Sequence, residues 1–587
     1  MVSVHPHRWS RARRIACDFL VVLPLVLVVS ATWADQTETP AAGAPAAASA
    51  PAARAAHKSA IASAHPLASR AGQEILEQGG NAFDAAVAIS AALAVVEPSS
   101  SGLGGGGFYL LHRSADGFEA MVDAREKAPA AATRDMYLDK NGNPIEGAST
   151  GGPLAAGIPG EPAAFEYLAL KYGHLSLKQS LQPAIRLARE GFPLNARLQA
   201  GIRYKRDVLL RSPESAGVFL IKGEVPAVGA LIKQPDLAKT LEALAERGAK
   251  GFYQGSVAKE LVRSVKAGGG IWTLQDLANY QVVERKPLVG EYHGARIVSA
   301  APPSSGGVAL LDALNILSAV DLARLESPMG KHWVIESMQR VYRDRAIYLG
   351  DPDFVDVPVG LLTNPAYAAG QRASIRSDKA MPSDQLPGVS EQPGGTQTTH
   401  FSVLDRDGNR VGATISVNLW LGTGYIAGHT GVLLNNTMDD FSIKPGVPND
   451  FGLIGASANA VAGNKRSLSS MTPTFVETPK GLMIIGSPGG SYIISMVLLG
   501  TLNYLDGMSA ADVVKASRYH HQYSPDVVQY EPDAFSAADI QWLQSKGHRL
   551  EAGSRRWGNM QVVTWDYATG TVQAASDPRG IGEGLVY

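Results

Sequence analysis

The feature that most constrains the fold is an apolar segment of small residues, NAFDAAVAISAALAVVEP (residues 81–98). Asn81 suits the N-cap of a helix, Asp84 suits the first turn, and Pro98 lies beyond the end. Because the segment would be apolar on every face of a helix, it is predicted to form a buried helix. The small size of these side chains favours close packing against neighbouring elements.

A glycine-rich run, GLGGGG (Gly102–Gly107), comes shortly after this helix. It superficially matches a dinucleotide-binding motif, but that motif must follow a strand and open a helix. Here the run follows a helix and leads into the strand-like segment FYLLH. We therefore predict a tight glycine turn in a packed core and no nucleotide site.

Composition favours some classes of function over others. The chain has 587 residues, of which 45% are hydrophobic and 18% charged, so it can bury a substantial core. Its formal net charge is −1, its pI is near 6.9, and it has no long run of like charges. Such a chain lacks the electrostatic signature of nucleic-acid or anionic-lipid binding, which leaves small-molecule chemistry as the favoured class.

The N-terminal residues 1–34 are typical of an export signal, because four arginines precede an apolar run from Phe19 to Val29 that ends in small residues. A membrane anchor is the alternative, but the run is well short of the roughly 20 residues that a spanning helix needs. We expect a periplasmic or secreted protein without a stable anchor. The only cysteine, Cys17, lies in this segment, so the mature chain has no thiol nucleophile and no disulfide.

Residues 35–57 are rich in alanine and proline and poor in large apolar side chains. Such a segment cannot offset the entropy lost on ordering, so we predict a flexible linker. The folded part is expected to begin near Lys58.

Strand patterns dominate the C-terminal third. The segments HFSVLD and VGATISV flank the turn-rich DRDGN and predict a hairpin. Symmetric folding about Asp407 would place Thr398 opposite Ser416, with the two hydroxyls within hydrogen-bonding reach. The sequence leaves this register open, because a one-residue slip would separate the two side chains. On pattern alone, both are ordinary strand residues.

A second glycine turn is predicted further along the chain. The segment LMIIGS runs into PGG and then into SYIISMVLLGTLNYL, which indicates a strand, a tight turn and a helix. Such a turn leaves backbone N–H groups pointing outward.

Many ordered segments of the chain resemble the gamma-glutamyltransferase family, over roughly residues 58–587. In the C-terminal third these are GGTQTTHFSVLDRDGN, NLWLGTGY, GVLLNNTMDDFSIKPGVPNDFG, NKRSLSSMTPT and GSPGGSYIIS. Earlier ones include VDAREKAPAAATRDMYLD, PPSSGGVALLDALNIL and YRDRAIYLGDPDFVDVP. The resemblance implies an α/β (α+β) chain with the N-terminal-nucleophile fold, a four-layer αββα sandwich.

The resemblance also implies that two subunits form this sandwich jointly from one self-cleaving precursor. The cut falls between Gln397 and Thr398, giving a large subunit (58–397) and a small subunit (398–587) that remain together as a heterodimer. Thr398 then becomes an N-terminal nucleophile, whose freed α-amine has a reference pKa near 7.7–8.0 and can accept the hydroxyl proton. His400 is close in sequence, and we interpret it as a structural residue rather than a proton carrier.

A gamma-glutamyl group carries an α-carboxylate and an α-ammonium, so its pocket needs a cation and an anion in fixed positions. The resemblance assigns these contacts to Arg125 and Asp440, and arginine suits a carboxylate because its planar fork binds both oxygens. Further matches are Ser469 and Ser470 at the carboxylate and Asn418 at the glutamyl group.

The resemblance places an oxyanion hole at the second glycine turn. Gly489 and Gly490 match the family's backbone N–H donors to the oxyanion. Their lack of side chains permits the close approach of substrate. An ordinary strand-to-helix turn would use the same residues.

The sequence departs from the family pattern at three positions. Ser416 replaces a threonine beside the nucleophile and keeps the hydroxyl. Thr437 stands where a longer glutamine is common, which puts a contact to the substrate ammonium in doubt. Phe451 stands where a tyrosine often hydrogen-bonds the residue matched by Asn418, so this latch is missing.

Without the latch, we expect the lid loop (residues 442–464) to close less firmly and the acyl-enzyme to favour water over amino-acid acceptors. Trp420 lies two residues beyond Asn418 and would offer an apolar wall to the acceptor if the strand continues. The alternative is that Phe451 and Trp420 pack together and keep the lid as firm as in its relatives.

The expected partners are gamma-glutamyl compounds such as glutathione, with water, amino acids or peptides as acceptors. The resemblance implies no cofactor and no metal, and His520 and His521 would face opposite sides of a strand. One alternative function is a glutaryl-type acylase, active on cephalosporin side chains, although Asp440 favours a gamma-glutamyl substrate. Another is an unprocessed, inactive homologue that only binds gamma-glutamyl compounds.

Overall fold

The computed structural model describes residues 54–386, 398–554 and 556–587. These residues form two large sheets with helices on both outer sides. The predicted signal (1–34), most of the predicted linker and Gln397 lie outside the described residues. Within the described part, no helix is both long and apolar enough to cross a membrane.

The strands of the described residues are β1 Ala60–Ser63, β2 Gly106–Arg113, β3 Phe118–Ala124, β4 Phe192–Pro193, β5 Leu231–Ile232, β6 Val283–Arg285, β7 Leu288–Tyr292, β8 Ala295–Ser299, β9 Thr399–Leu404, β10 Arg410–Ser416, β11 Thr474–Thr478, β12 Gly481–Gly486, β13 Tyr519–His520, β14 Val528–Tyr530, β15 Leu550–Ala552, β16 Gln561–Asp566, β17 Val572–Ser576 and β18 Glu583–Val586.

The helices are α1 Pro66–Glu77, α2 Ala82–Val96, α3 Glu161–Lys171, α4 Leu177–Glu190, α5 Ala196–Leu209, α6 Pro213–Phe219, α7 Pro235–Arg247, α8 Lys250–Tyr253, α9 Gly255–Ala267, α10 Leu274–Ala278, α11 Gly306–Leu317, α12 Pro328–Tyr348, α13 Val359–Leu362, α14 Pro365–Ala373, α15 Tyr492–Leu505, α16 Ala510–Lys515 and α17 Ala537–Ser545.

Two antiparallel sheets form the centre of the molecule. The first has the strand order β18-β1-β9-β10-β2-β3-β6, and the second has the order β17-β16-β12-β11-β8-β7. Each sheet combines strands from before and after Thr398, so neither is complete without both parts of the chain. This arrangement agrees with a fold built jointly by two predicted subunits.

Three buried clusters show four layers. Phe108 and Leu110 of β2 pack between the sheets against residues such as Phe475 of β11. The alternate residues of β2, Tyr109 and Leu111, pack on the other face among helices that include α2 and α4. The second sheet is covered on its outer face by α11, α12 and α15. The predicted αββα sandwich is therefore confirmed, and the two-residue period of β2 supplies two different cores.

Helix α2 confirms the prediction for the segment of small residues. Its N-cap Asn81 and Asp84 form a reciprocal capping box, and every residue of the helix is buried. Asp405 of the β9–β10 turn accepts a hydrogen bond from Ala82 N at 2.9 Å, which ties the helix to the hairpin.

The first glycine run forms the predicted tight turn and leads directly into β2. A Cβ added at Gly104 would lie 2.0 Å from Leu433 O, and one at Gly105 would lie 2.1 Å from Ser416 O. Such distances leave no room for a side chain. The backbone of this turn is thus in direct contact with the segments that carry the predicted site.

The hairpin has the predicted register. Leu404 pairs with Arg410 and Thr399 pairs with Ile415, so the same alternation places Thr398 opposite Ser416 at the open end of the ladder. The start of the folded part lies slightly before Lys58, because Ala56 is buried and His57 N donates to Arg406 O at 3.0 Å.

We predict that Gly105→Ala destabilises the protein by about 1–3 kcal/mol, because the new methyl group would overlap Ser416 O. Thermal unfolding measures the change. The matched control is Gly370→Ala in α14, where nothing lies within 4 Å of the added Cβ. That variant should be neutral or up to about 1 kcal/mol more stable. Equal Tm values for the two variants would contradict the close contact.

Candidate active site

Thr398 lies immediately before β9 and is nearly buried, with 4% of its surface exposed. Its Oγ1 is 3.5 Å from Ser416 Oγ, the residue opposite it at the end of β10. Ser416 Oγ also accepts a hydrogen bond from Asn418 N at 2.8 Å. The hairpin therefore brings the two predicted hydroxyls together, and Ser416 is held by the turn that follows its strand.

A small cavity opens at this end of the first sheet. Its lining includes eight of the predicted site residues: Arg125, Thr398, Ser416, Asn418, Asp440, Ser469, Ser470 and Gly490. It also includes Arg345, Phe451, Leu453, Leu468, Met471 and Ile493. Residues from both parts of the chain therefore meet around the predicted nucleophile.

Arg125, which is buried, and Asp440, which is partly buried, form an ion pair on one wall of the cavity. Arg125 directly follows β3, and its Nη2 donates to Asp440 Oδ2 and to Ser467 Oγ. Burial raises the pKa of Asp440, and the Arg125 charge opposes that rise. The cation and anion that the sequence assigned to the two ends of an amino-acid group thus lie side by side.

Thr437 lies outside the cavity lining. Its Oγ1 donates to Glu126 Oε1 at 2.7 Å, and Glu126 Oε2 is 3.5 Å from Arg125 Nη1. Burial raises the pKa of Glu126, whereas Arg125 lowers it. Thr437 is therefore linked to Arg125 through Glu126, and it has no direct contact with the cavity.

The second glycine turn lies between β12 and α15, as predicted. Gly489 and Gly490 have φ values of 145° and 55°, which L-residues with side chains rarely adopt. Their carbonyls accept the first hydrogen bonds of the helix, from Tyr492 N and Ile493 N. Gly490 lines the cavity, and Gly489 directly precedes it in the turn.

The lid loop is anchored at its tip. Asp450 N donates to Asp439 Oδ2 at 2.9 Å, and Gln522 Nε2 donates to Gly452 O at 3.1 Å. Burial raises the pKa of Asp439 to about 7. Between these contacts, the Phe451 ring lies so close to Gly490 that a Cβ there would be 2.4 Å from it.

Trp420 does not line the cavity. Its ring packs against Gly201 of α5 and lies under Arg197, whose guanidinium carbon is 5.3 Å from the ring centroid. The strand ends at Ser416, and Asn418 has a φ of 77°, so the chain turns before Trp420. Among the described residues, the ring of Trp420 therefore does not pair with Phe451, and the acceptor wall stays a prediction.

His400 has the structural position that the sequence suggested. It is fully buried, and its ring nitrogens contact Thr414 Oγ1 at 2.8 Å and Ser402 Oγ at 3.2 Å. Burial lowers its pKa to about 3, so the imidazole is neutral. His520 and His521 have different partners, namely Ser495 and Asp526.

Within the described part of the chain, two clusters hold histidine and carboxylate groups close enough together for a metal ion: His332, Glu336 and His548 in one, and His112, Glu119 and Glu477 in the other. Their ligand atoms already have protein partners. His332 Nδ1 is 2.7 Å from His548 Nε2, and Glu336 pairs with Arg340. In the second cluster, Arg296 binds both carboxylates. The geometry of both clusters suits internal polar networks.

Two functional candidates were missed from the sequence. Arg345 of α12 lines the cavity, although its segment YRDRAIYLGDPDF was among the family matches. Glu97, at the end of α2, accepts a hydrogen bond from Thr399 Oγ1 at 2.7 Å and so holds the residue next to Thr398. Both lie far from Thr398 in sequence, and the sequence offered only a charge at the end of an apolar helical segment for Glu97 and a family match for Arg345.

Comparison with known proteins gives a consistent result. The family model for gamma-glutamyltranspeptidase matches residues 68–587. The chain is 43% identical to the glutathione hydrolase proenzyme of Escherichia coli K12, covering 89% of this chain and 90% of the relative. It is 45% identical to the glutathione hydrolase proenzyme of Pseudomonas sp. A14, covering 84% and 86%.

Solved structures agree with these relatives. The cephalosporin acylase of Bacillus halodurans has a TM-score of 0.78 at 28% identity, covering 93% of this chain and 99% of the acylase. The gamma-glutamyltranspeptidase of Helicobacter pylori has a TM-score of 0.54 at 46% identity, covering 55% and 93%.

We predict that Arg125→Met destabilises the protein more at pH 8 than at pH 5. Without Arg125, the folded-state pKa of Asp440 rises further above its unfolded value. The resulting loss in the free energy of unfolding is absent where Asp440 is protonated in both states. It grows as the pH rises from the unfolded-state pKa to the folded-state pKa of Asp440. The loss should reach about 3–5 kcal/mol at pH 8. Thermal unfolding of wild type and variant across this range gives the difference.

The control is Arg113→Met, which removes an exposed partner of Asp116. It should cost less than about 1 kcal/mol. A loss for Arg125→Met that does not change with pH would contradict the assigned pairing with Asp440.

Proposed function

Since the chain belongs to the gamma-glutamyltranspeptidase family, we propose that it is a gamma-glutamyltransferase and glutathione hydrolase. Thr398 attacks the gamma-glutamyl amide, the amine leaves, and the acyl-enzyme is resolved by water or by an amino-acid or peptide acceptor. The observation that carries this proposal is the position of Thr398 Oγ1 beside Ser416 in a cavity that also holds Arg125 and Asp440.

The nucleophile requires a base, and the proposal takes it from the chain itself. Cleavage between Gln397 and Thr398 would free an α-amine on Thr398, and this amine would take the hydroxyl proton as the hydroxyl attacks. The neighbouring His400 is buried and bonded to Thr414 and Ser402, which leaves it poorly placed for this role. Ser416 would orient the attacking hydroxyl through the contact at 3.5 Å.

Donor recognition would use the ion pair of Arg125 and Asp440. Without ligand, Arg125 and Asp440 neutralise each other. A bound gamma-glutamyl group offers a carboxylate to Arg125 and an ammonium to Asp440, so each buried charge gains a partner of the opposite sign. Ser469, Ser470 and Asn418 would complete the contacts.

The oxyanion that forms at the gamma carbonyl needs hydrogen-bond donors. Gly489 and Gly490 are held in a turn by the first hydrogen bonds of α15, so their backbone is oriented before substrate arrives. Preorganised donors of this kind supply a large part of the stabilisation in acyl transfer. We assign the oxyanion hole to these two residues.

A glutaryl-type acylase is the second candidate, because the fold also matches the cephalosporin acylase of Bacillus halodurans. A glutaryl group has no ammonium, so it would leave Asp440 without a substrate partner. Comparing turnover of glutaryl and gamma-glutamyl anilides distinguishes the two functions. We expect the gamma-glutamyl anilide to be preferred.

Export is part of the proposal, because residues 1–34 have the sequence pattern of a signal peptide. The mature protein would then act in the periplasm or outside the cell. After processing, a large and a small subunit would remain together, since both sheets contain strands from before and after Thr398.

Thr398→Ala should abolish both chain cleavage and activity, because it removes the hydroxyl that both reactions use. Wild type should give mature fragments of roughly 38 and 20 kDa, by proportion from 61.8 kDa for 587 residues. Intact-mass analysis with N-terminal sequencing measures both. A variant that matured normally, or an uncut wild-type chain that turned over substrate, would show that another nucleophile is used.

Phe451→Tyr should raise the ratio of transfer to hydrolysis at fixed acceptor concentration. Phe451 and Asn418 line the same cavity, so we expect the added hydroxyl to bond Asn418, and a net hydrogen bond of about 0.5–1.5 kcal/mol shifts a lid population several-fold. Phe354→Tyr, at an exposed position remote in sequence from the lid, is the control. A flat or lower ratio would mean that packing of Phe451 on Gly490 already keeps the lid closed.

A further inference from the structure

Arg345 is a second buried cation of the cavity. It lies in the last turn of α12 with 5% of its surface exposed. Its Nε donates to Ser305 Oγ at 2.9 Å and its Nη2 donates to Ser470 Oγ at 3.1 Å. Ser470 lines the same cavity as Arg125 and Asp440, so this hydrogen bond connects Arg345 to the wall that contains the ion pair.

The charge of Arg345 is less well balanced than that of Arg125. Arg125 pairs with Asp440 and with Glu126. Among the described residues, no carboxylate forms an ion pair with Arg345, although Asp440 is near enough to favour its charged form. Burial lowers the pKa of Arg345 to about 10, so it stays charged at neutral pH. The cavity therefore holds a positive charge that its own acids do not offset at close range.

The contact with Ser470 has a directional consequence. An arginine can only donate, so Ser470 Oγ must accept from Arg345, and the serine's own proton is left to donate elsewhere. A hydroxyl that accepts from a cation is also a stronger donor, because the two hydrogen bonds polarise each other. Ser470 is thereby prepared to donate to an anionic group in the cavity.

Ser305 extends this arrangement. Its Oγ donates to Ser469 O at 2.6 Å while it accepts from Arg345 Nε. The guanidinium of Arg345 therefore braces both serines of the Ser469–Ser470 pair. It donates directly to the Ser470 hydroxyl, and it reaches the Ser469 carbonyl through the Ser305 hydroxyl. This brace joins α12 to the cavity wall.

We propose that Arg345 is a positioning residue that selects donors carrying an α-carboxylate. It directs the Ser470 hydroxyl towards that carboxylate, and its charge adds to the attraction that Arg125 supplies. This inference rests on the proposed function, because the carboxylate in question belongs to the gamma-glutamyl donor.

The test compares two anilide substrates that differ only at the carboxylate. The gamma-glutamyl anilide carries it, and the 4-aminobutyryl anilide lacks it but keeps the ammonium. Single-turnover measurements with excess enzyme give kcat/KM for slow substrates. Arg345→Gln should lower kcat/KM for the gamma-glutamyl anilide at least about tenfold. It should leave the 4-aminobutyryl anilide within about twofold of wild type, so that the selectivity for the carboxylate falls by most of that factor.

Arg343→Gln is the matched control, since Arg343 lies on the same helix but pairs with Asp344. It should not change the selectivity. Arg345→Lys keeps the charge but loses the planar fork that reaches both serines, and it should give an intermediate selectivity. Chain cleavage, followed on a gel, reports whether each variant has folded and matured.

An equal loss for both substrates in Arg345→Gln, or no loss for either, would overturn the inference. If Arg345→Gln fails to mature, Arg345→Lys and Ser305→Ala decide instead, since each weakens the brace while keeping a cation. Unchanged selectivity in both would overturn it. A wild-type protein that does not turn over the gamma-glutamyl anilide would refute the proposed function itself, which is a separate outcome.

Discussion

The close contact between the first glycine turn and three carbonyl groups determines where the site can form. Without side chains, Gly104, Gly105 and Gly106 approach the carbonyls of Leu433, Ser416 and Ala124. Ser416 is opposite Thr398, Ala124 precedes Arg125, and Leu433 begins the segment that reaches Asp440. One turn therefore brings the hydroxyl pair and the ion pair to the same end of the first sheet. A methyl group at any of these glycines would separate the segments that carry them.

Burial gives the site its electrostatic character. Arg125, Asp440, Glu126 and Arg345 all lie in or beside the cavity, where water screens their charges poorly. Burial raises the pKa of both acids, while Arg125 opposes the rise. Such a group of charges is costly without partners, and a zwitterionic donor supplies one partner to each end of the ion pair. The cavity is thus better suited to an amino-acid head group than to a neutral acyl chain.

The local features of the fold could be predicted from the sequence. The capping box of α2 and the β9–β10 register depend on residues close together in the chain, and both were confirmed. The αββα layers came from family resemblance. Predictions of where a side chain points, beyond the end of a strand or across the packing of a helix, were less successful. The chain turns at Asn418, with its φ of 77°, and this directs Trp420 away from the cavity. Arg345 was missed because only the packing of α12 shows which residues it reaches.

The lid and the second glycine turn form one packing unit. Gly490 must lack a side chain for two reasons, since its φ is 55° and the Phe451 ring occupies the space of a Cβ. The residues on either side of Phe451 are fixed by hydrogen bonds, from Asp450 N to Asp439 Oδ2 and from Gln522 Nε2 to Gly452 O. A movement of the lid tip would therefore open the space beside Gly490 that the Phe451 ring now fills, so the lid and the turn before α15 are coupled through this one ring.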